Sequence, residues 1–127
     1  MNENEIAKAV VQAAFEIHTE LGPGLLETVY EVLLAHQLRA TGLHVERQMP
    51  VPITFRGIRF DEGFRADLLV NEKVLIELKS VEALANVHKK QVLTYLRLLD
   101  LRLGLLINFN TALIKDGIVR IANGLPE

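Results

Sequence analysis

FRADLLVNEKVLIELK, residues 64–79, is the stretch on which the fold turns. Side chains on a strand alternate between faces. Phe64, Ala66, Leu68 and Val70 therefore share one face, and Arg65, Asp67 and Leu69 share the other. In the second half Val74, Ile76 and Leu78 lie opposite to Leu75, Glu77 and Lys79. Burying both apolar faces together requires an antiparallel hairpin in which Val70 meets Val74, Ala66 meets Leu78 and Asp67 meets Glu77. A slip of one residue would send the charged set to the wrong side. Two carboxylates and an amine, Asp67, Glu77 and Lys79, are thus expected on one face of a β-hairpin.

Directly opposed like charges destabilise a sheet, so the carboxylates need a cation. Lys79 can supply part of it and a divalent metal more. Hard oxygen ligands without cysteine suit Mg2+, or Mn2+, rather than zinc. The other reading is a solvated strand face on which Asp67 pairs with Lys79. On these three residues alone that ion pair is the simpler account, because such short strings arise by chance in many strands.

The chain has 127 residues, half of them apolar, which implies one domain with a sizeable core over residues 1–127. A net charge of -2 gives no strongly basic field, so contact with nucleic acid must use a local basic patch or a partner. The absence of cysteine excludes disulfides, thiolate metal sites and cysteine nucleophiles. The N-terminus lacks the pattern of a signal peptide, and no apolar run approaches the ~20 residues of a membrane span. A soluble, cytoplasmic protein that makes no membrane contact is expected.

Ile6, Val10, Ala13, Ala14, Ile17 and Leu21 recur at helical spacing and predict an amphipathic helix over about residues 4–20, ended by Gly22-Pro23-Gly24. A second helix is predicted over about 25–41, with Leu26, Val29, Tyr30, Leu33, Leu34 and Leu38 on its inner face. The two make a helical hairpin. Short strands are predicted at 44–49, 51–55 and 58–60, with Arg56-Gly57 as a turn. Asn86 is placed as the cap of a third helix running to about Leu99, with Val87, Val92, Tyr95, Leu96 and Leu99 inward. Residues 103–109 are apolar on both faces, as in a strand covered on both sides. Residues 112–115 and 118–122, joined through Asp116-Gly117, are predicted to close the sheet as a hairpin. A mixed sheet with helices against it follows.

Other candidates carry two readings each. Glu27, in the first turn of the second helix, either answers the helix dipole or projects a metal or water ligand toward the sheet. Gln91 and Tyr95 share one face of the third helix, with His88 beside them, and either contact phosphate and sugar oxygens or form a polar edge. Lys89, Lys90 and Arg97 add a basic flank to that helix. His18, His36 and His44 lack partners at metal-ligand spacing and are taken as structural or surface residues.

Taken together these pieces resemble the GxxExxY family, a group of small proteins placed in the PD-(D/E)XK nuclease superfamily. The name motif stands here as Gly24-Leu-Leu-Glu27-Thr-Val-Tyr30, preceded by His18-Thr-Glu-Leu-Gly22-Pro23. The superfamily core is similar to Arg65-Ala-Asp67, then Glu77-Leu78-Lys79, then Gln91 and Tyr95 as a QxxxY element, and 103–109 resembles the strand that follows. Ala66 stands where the superfamily pattern usually has proline. The resemblance implies an α/β, restriction-endonuclease-like core: a mixed central β-sheet flanked by helices, with an N-terminal helical hairpin. It implies Mg2+ held by Asp67 and Glu77 with Glu27 completing the shell, Lys79 acting on water, and Gln91, Tyr95, Lys89 and Lys90 against nucleic acid. The activity it implies is metal-dependent hydrolysis of phosphodiester bonds in DNA. A catalytically silent module of the same fold, binding nucleic acid or protein, is the alternative. A homodimer or a protein partner fits a chain without its own clamp.

Overall fold

Both faces of residues 64–79 are apolar, and a lone two-stranded hairpin cannot bury both. The computed structural model, which describes residues 1–126, covers one face with two helices and the other with a third. In chain order the elements are α1 (Glu3–Leu21), α2 (Glu27–Ala40), β1 (Val45–Phe55), β2 (Ile58–Val70), β3 (Val74–Lys79), α3 (Asn86–Leu99), β4 (Leu103–Asn108), a 3-10 turn (Ile114–Gly117) and β5 (Ile118–Ala122). The sheet runs β1-β2-β3-β4-β5, antiparallel except for the parallel β3–β4 pair that α3 connects. This is an α/β restriction-endonuclease-like fold with an N-terminal helical pair.

The predicted hairpin register is present, with Val70 opposite Val74, Leu69 opposite Leu75 and Leu68 opposite Ile76. Val74, Ile76 and Leu78 pack with Leu103, Leu105 and Ile107 under α1 and α2. Leu75 and Leu106 pack under α3 with Val92, Tyr95 and Leu96. Every residue of β4 is buried, as a strand covered on both sides requires. Gly104 permits the closest approach of α3. A Cβ there would stand 2.8 Å from Val92 Cγ1 and 3.3 Å from Leu96 Cδ2. Gly104→Ala is therefore expected to cost roughly 1–3 kcal/mol by overpacking, read as a lower melting temperature with unchanged far-UV circular dichroism. An unchanged melting temperature would mean that α3 is not seated this closely.

Several expectations are corrected. The stretches at 44–49, 51–55 and 58–60 are not separate short strands but parts of the long ribbon β1–β2, closed at Arg56 and Gly57, both with positive φ as a type I′ turn needs. Pro50 and Pro52 do not end β1 because it is an edge strand. The C-terminal hairpin is replaced by the 3-10 turn and the single strand β5, which pairs with β4. On α2, Leu26 and Val29 face outward at 74% and 40% exposure, and Glu31 takes an inward place beside Tyr30, Leu34, Ala35 and Leu38. Arg47 from β1 neutralises that buried carboxylate, so the helix can present it. On α3, Val87 is exposed, and Asn86 is the first helical residue rather than the cap. His88 closes that helix end instead, its Nδ1 accepting from Ala85 N at 3.0 Å.

Candidate active site

Tyr30 anchors the segment between α1 and α2. Tyr30 stacks on Phe109 with ring centroids 4.2 Å apart, donates its hydroxyl hydrogen to Gly22 O (2.6 Å) and accepts from Leu25 N (3.2 Å). Gly22 and Gly24 adopt the positive φ that the reversal requires. His18, on the last turn of α1, reaches Thr111 O through Nε2 at 2.8 Å and is a structural residue. With the start of α2 anchored, Glu27 points at the end of β3, where its Oε1 accepts from Ser80 N at 3.2 Å and Ser80 Oγ donates to Leu25 O at 3.1 Å.

At that end of the sheet β2 and β3 part. Their backbone pairing runs no further than Leu68 opposite Ile76, and carboxylates take over the next amide positions. Leu78 N donates to Asp67 Oδ2 at 2.8 Å, and Asp67 N donates to Glu77 Oε1 at 3.1 Å. Asp67 and Glu77 thus meet beyond the end of the ladder, each carboxylate bonded to a backbone N–H of the other's strand, and the expected pairing of Ala66 with Leu78 is not made, because the two pack on opposite sides of the sheet. Past this point β2 swings toward α3, so that Ala66 and Phe64 pack with Tyr95 rather than with the residues under α1 and α2.

Burial sets the electrostatics. Glu77 is 5% exposed. Its carboxyl is pushed up to about 8, first by loss of solvent and then by the charge of Asp67, against the opposing pull of the Asp67 N–H and the Lys79 ammonium. Asp67 is raised as well, by burial, with Glu31 and Glu27 adding repulsion that the bonds from Leu78 N and Gln48 offset. The Tyr95 hydroxyl is pushed up to about 12 by burial and then by Glu77 and Asp67, opposed by the nearby Gln91 amide. The solvated Asp67–Lys79 ion pair, the simpler account of the sequence, is absent. Among the described residues the ion pairs are His44–Glu46, Arg47–Glu31 and Arg59–Asp61.

The pair fits a divalent cation by its donor chemistry. The two hard carboxylates stand together without an ion-paired lysine, arginine or histidine, and an ion between them would remove the repulsion that burial intensifies. Glu27 lies in Coulombic reach of Asp67 but is held on Ser80 N and does not converge with Asp67 and Glu77 into a compact triad. Among the described residues the three-residue set whose ligand atoms lie within 4.8 Å of one another is His44, Glu46 and Glu72, near the β2–β3 turn and apart from Asp67. Chain spacing gave no hint of that grouping for His44.

The α3 candidates divide. Tyr95 is buried, its ring stacked on Phe64 with centroids 3.7 Å apart, while Gln91, Lys89 and Lys90 are exposed on the same helix. The sequence reading missed three residues beside Asp67: Glu31, Arg47 and Gln48. The signal for Glu31 was an acidic residue four positions after Glu27, on the same helical face. Nothing local marked Gln48, which has φ 52 within β1.

Comparison with known proteins adds to this geometry. The profile of a family described as PD-(D/E)XK nuclease superfamily matches residues 4–121. Among solved structures, the chain is similar to the crystal structure of SSO0001, with a TM-score of 0.57 and 20% sequence identity over 98% of this chain. The chain spans 61% of that chain's length, and at this identity the likeness concerns the fold. No curated protein matches.

Proposed function

This chain belongs to the PD-(D/E)XK nuclease superfamily, and from that membership and its carboxylate pair we propose that it is a Mg2+- or Mn2+-dependent nuclease hydrolysing phosphodiester bonds in DNA. The observation that carries the reading is the mutually repelling pair of half-buried Asp67 and buried Glu77 at the parting of β2 and β3, with Lys79 two residues further along β3 from Glu77. The motif around Gly24, Glu27 and Tyr30 supports the narrower assignment to the GxxExxY group, and the 127 residues act as one nuclease-like unit in a reducing, cytoplasmic setting.

A divalent ion, when bound, supplies charge neutralisation at the phosphate and lowers the pKa of water. Asp67 and Glu77 would hold that ion, with the Leu78 carbonyl as a third oxygen donor. Glu27 acts from the next ring outward through its charge. Lys79 orients the attacking water and neutralises negative charge that builds on the phosphate oxygens. Gln91, Lys89 and Lys90 meet the substrate backbone from α3. Tyr95 acts from beneath, packing under Phe64. A partner, or a second copy of the chain, supplies the grip that an acidic protein lacks.

The test is a cleavage assay with Mg2+ or Mn2+ across linear, nicked, branched and single-stranded DNA, comparing wild type with Asp67→Asn. Cleavage of at least one substrate by wild type, reduced to background in the variant, is expected. Identical background for both proteins on every substrate overturns the reading.

A further inference from the structure

Glu31 is 3% exposed, a position at which a lone carboxylate would be costly. Its Oε2 accepts from Arg47 Nε at 3.1 Å and Nη2 at 2.9 Å, and its Oε1 accepts from Gln48 Nε2. The same Gln48 nitrogen reaches Asp67 Oδ1 at 3.4 Å. A side-chain amide carries two N–H hydrogens, so Gln48 can donate to both carboxylates at once and screen their repulsion. Its backbone is equally committed. Gln48 lies opposite Asp67 at the gap in β1–β2 pairing between Arg47–Leu68 and Met49–Ala66, holds φ 52, and offers its carbonyl to Arg65 Nη1 at 3.1 Å. A non-glycine residue in the left-handed region is strained and persists only when its surroundings over-determine it.

We propose that Gln48 is a positioning residue for the metal-binding carboxylates: its amide, oriented by the Glu31–Arg47 ion pair, fixes the rotamer of Asp67 and thereby sets the affinity of the site for a divalent cation. The proposal rests on the metal-site reading above. It differs from a purely structural role, in which the Glu31–Arg47–Gln48 contacts only staple α2 to β1. A staple, once cut, lowers the melting temperature and leaves ion affinity where it was.

Mn2+ binding, followed by calorimetry and by the electron paramagnetic resonance of free Mn2+, separates the two. Gln48→Met keeps chain length and removes the donor. Gln48→Gly removes the amide while favouring the left-handed backbone, so it keeps the test open if the first variant folds poorly. Both are expected to weaken Mn2+ binding by roughly 10-fold or more, the range typical of lost outer partners of metal ligands, with Gln48→Gly melting close to wild type. Unchanged Mn2+ affinity in folded Gln48→Gly overturns the inference while leaving the metal site intact. No Mn2+ binding by wild type overturns the metal-site reading, and this inference with it.

Discussion

Lys79→Ala is expected to lower metal-dependent cleavage by about 10²–10⁴-fold, the span associated with one positioned proton-handling group, and to leave the melting temperature nearly unchanged. Lys79 forms no ion pair among the described residues, and its contribution to the fold is its backbone, whose carbonyl accepts from Phe109 N at 3.0 Å. The variant keeps that bond. What it loses is the positive charge that holds Glu77 below the value burial alone would impose. Glu77 then rises further, and the acid limb of any residual activity moves to higher pH. Steady-state rates from pH 6 to 10 on whichever substrate wild type cleaves provide the check. Equal rates for the two proteins would remove Lys79 from the chemistry.

The second large effect is on stability. Glu77 stands at about 8 in the folded protein against an ordinary value of 4.5, so between those two values the folded chain holds a proton that the unfolded chain has released. The stability that this proton contributes is fully present below the unfolded value and is lost as pH rises through the folded one. Asp67 is shifted in the same direction and adds to the slope. In the presence of a chelator, wild type is therefore expected to melt at progressively lower temperature from pH 5 to 9, a loss on the order of a few kcal/mol. Glu77→Gln replaces the carboxyl by a neutral group of the same shape. It should flatten most of that slope and be the more stable protein at pH 8.5. Mn2+ should stabilise wild type most at high pH, where the ion need not displace a proton, and should do little for the variant. A wild-type melting temperature that does not fall over this range would refute the account.

The legible part of the fold was the part with unambiguous period. Residues 68–76 keep the period of two on either side of their turn, so the β2–β3 register there followed from the pattern, whereas Ala66 and Phe64 leave the face of Leu68 and Val70 for the side of α3. Residues 103–109 had no polar face to turn outward, and β4 is buried throughout. The rotation of α2 was misread because that helix is apolar on more than one side, and Val29 and Val32 sit on the exposed one. Its orientation was decided by Tyr30 docking on Phe109 and by Glu31 finding Arg47, contacts that span 79 and 16 positions of chain. The length of β1 was hidden by Pro50 and Pro52, whose tolerance depends on the strand lying at the sheet edge.

By itself the amino-acid sequence determined the register of the central hairpin next to its turn, and hence that Asp67 and Glu77 come close at its far end, because the pleat is a local property with a period of two. The tertiary structure decided what those residues are to one another. Where β2 leaves β3, how deeply Glu77 is buried, and how Glu31 and Gln48 come to stand beside Asp67 are set by packing between distant segments. The desolvation that turns a possible surface ion pair into a strained carboxylate pair arises only from that packing.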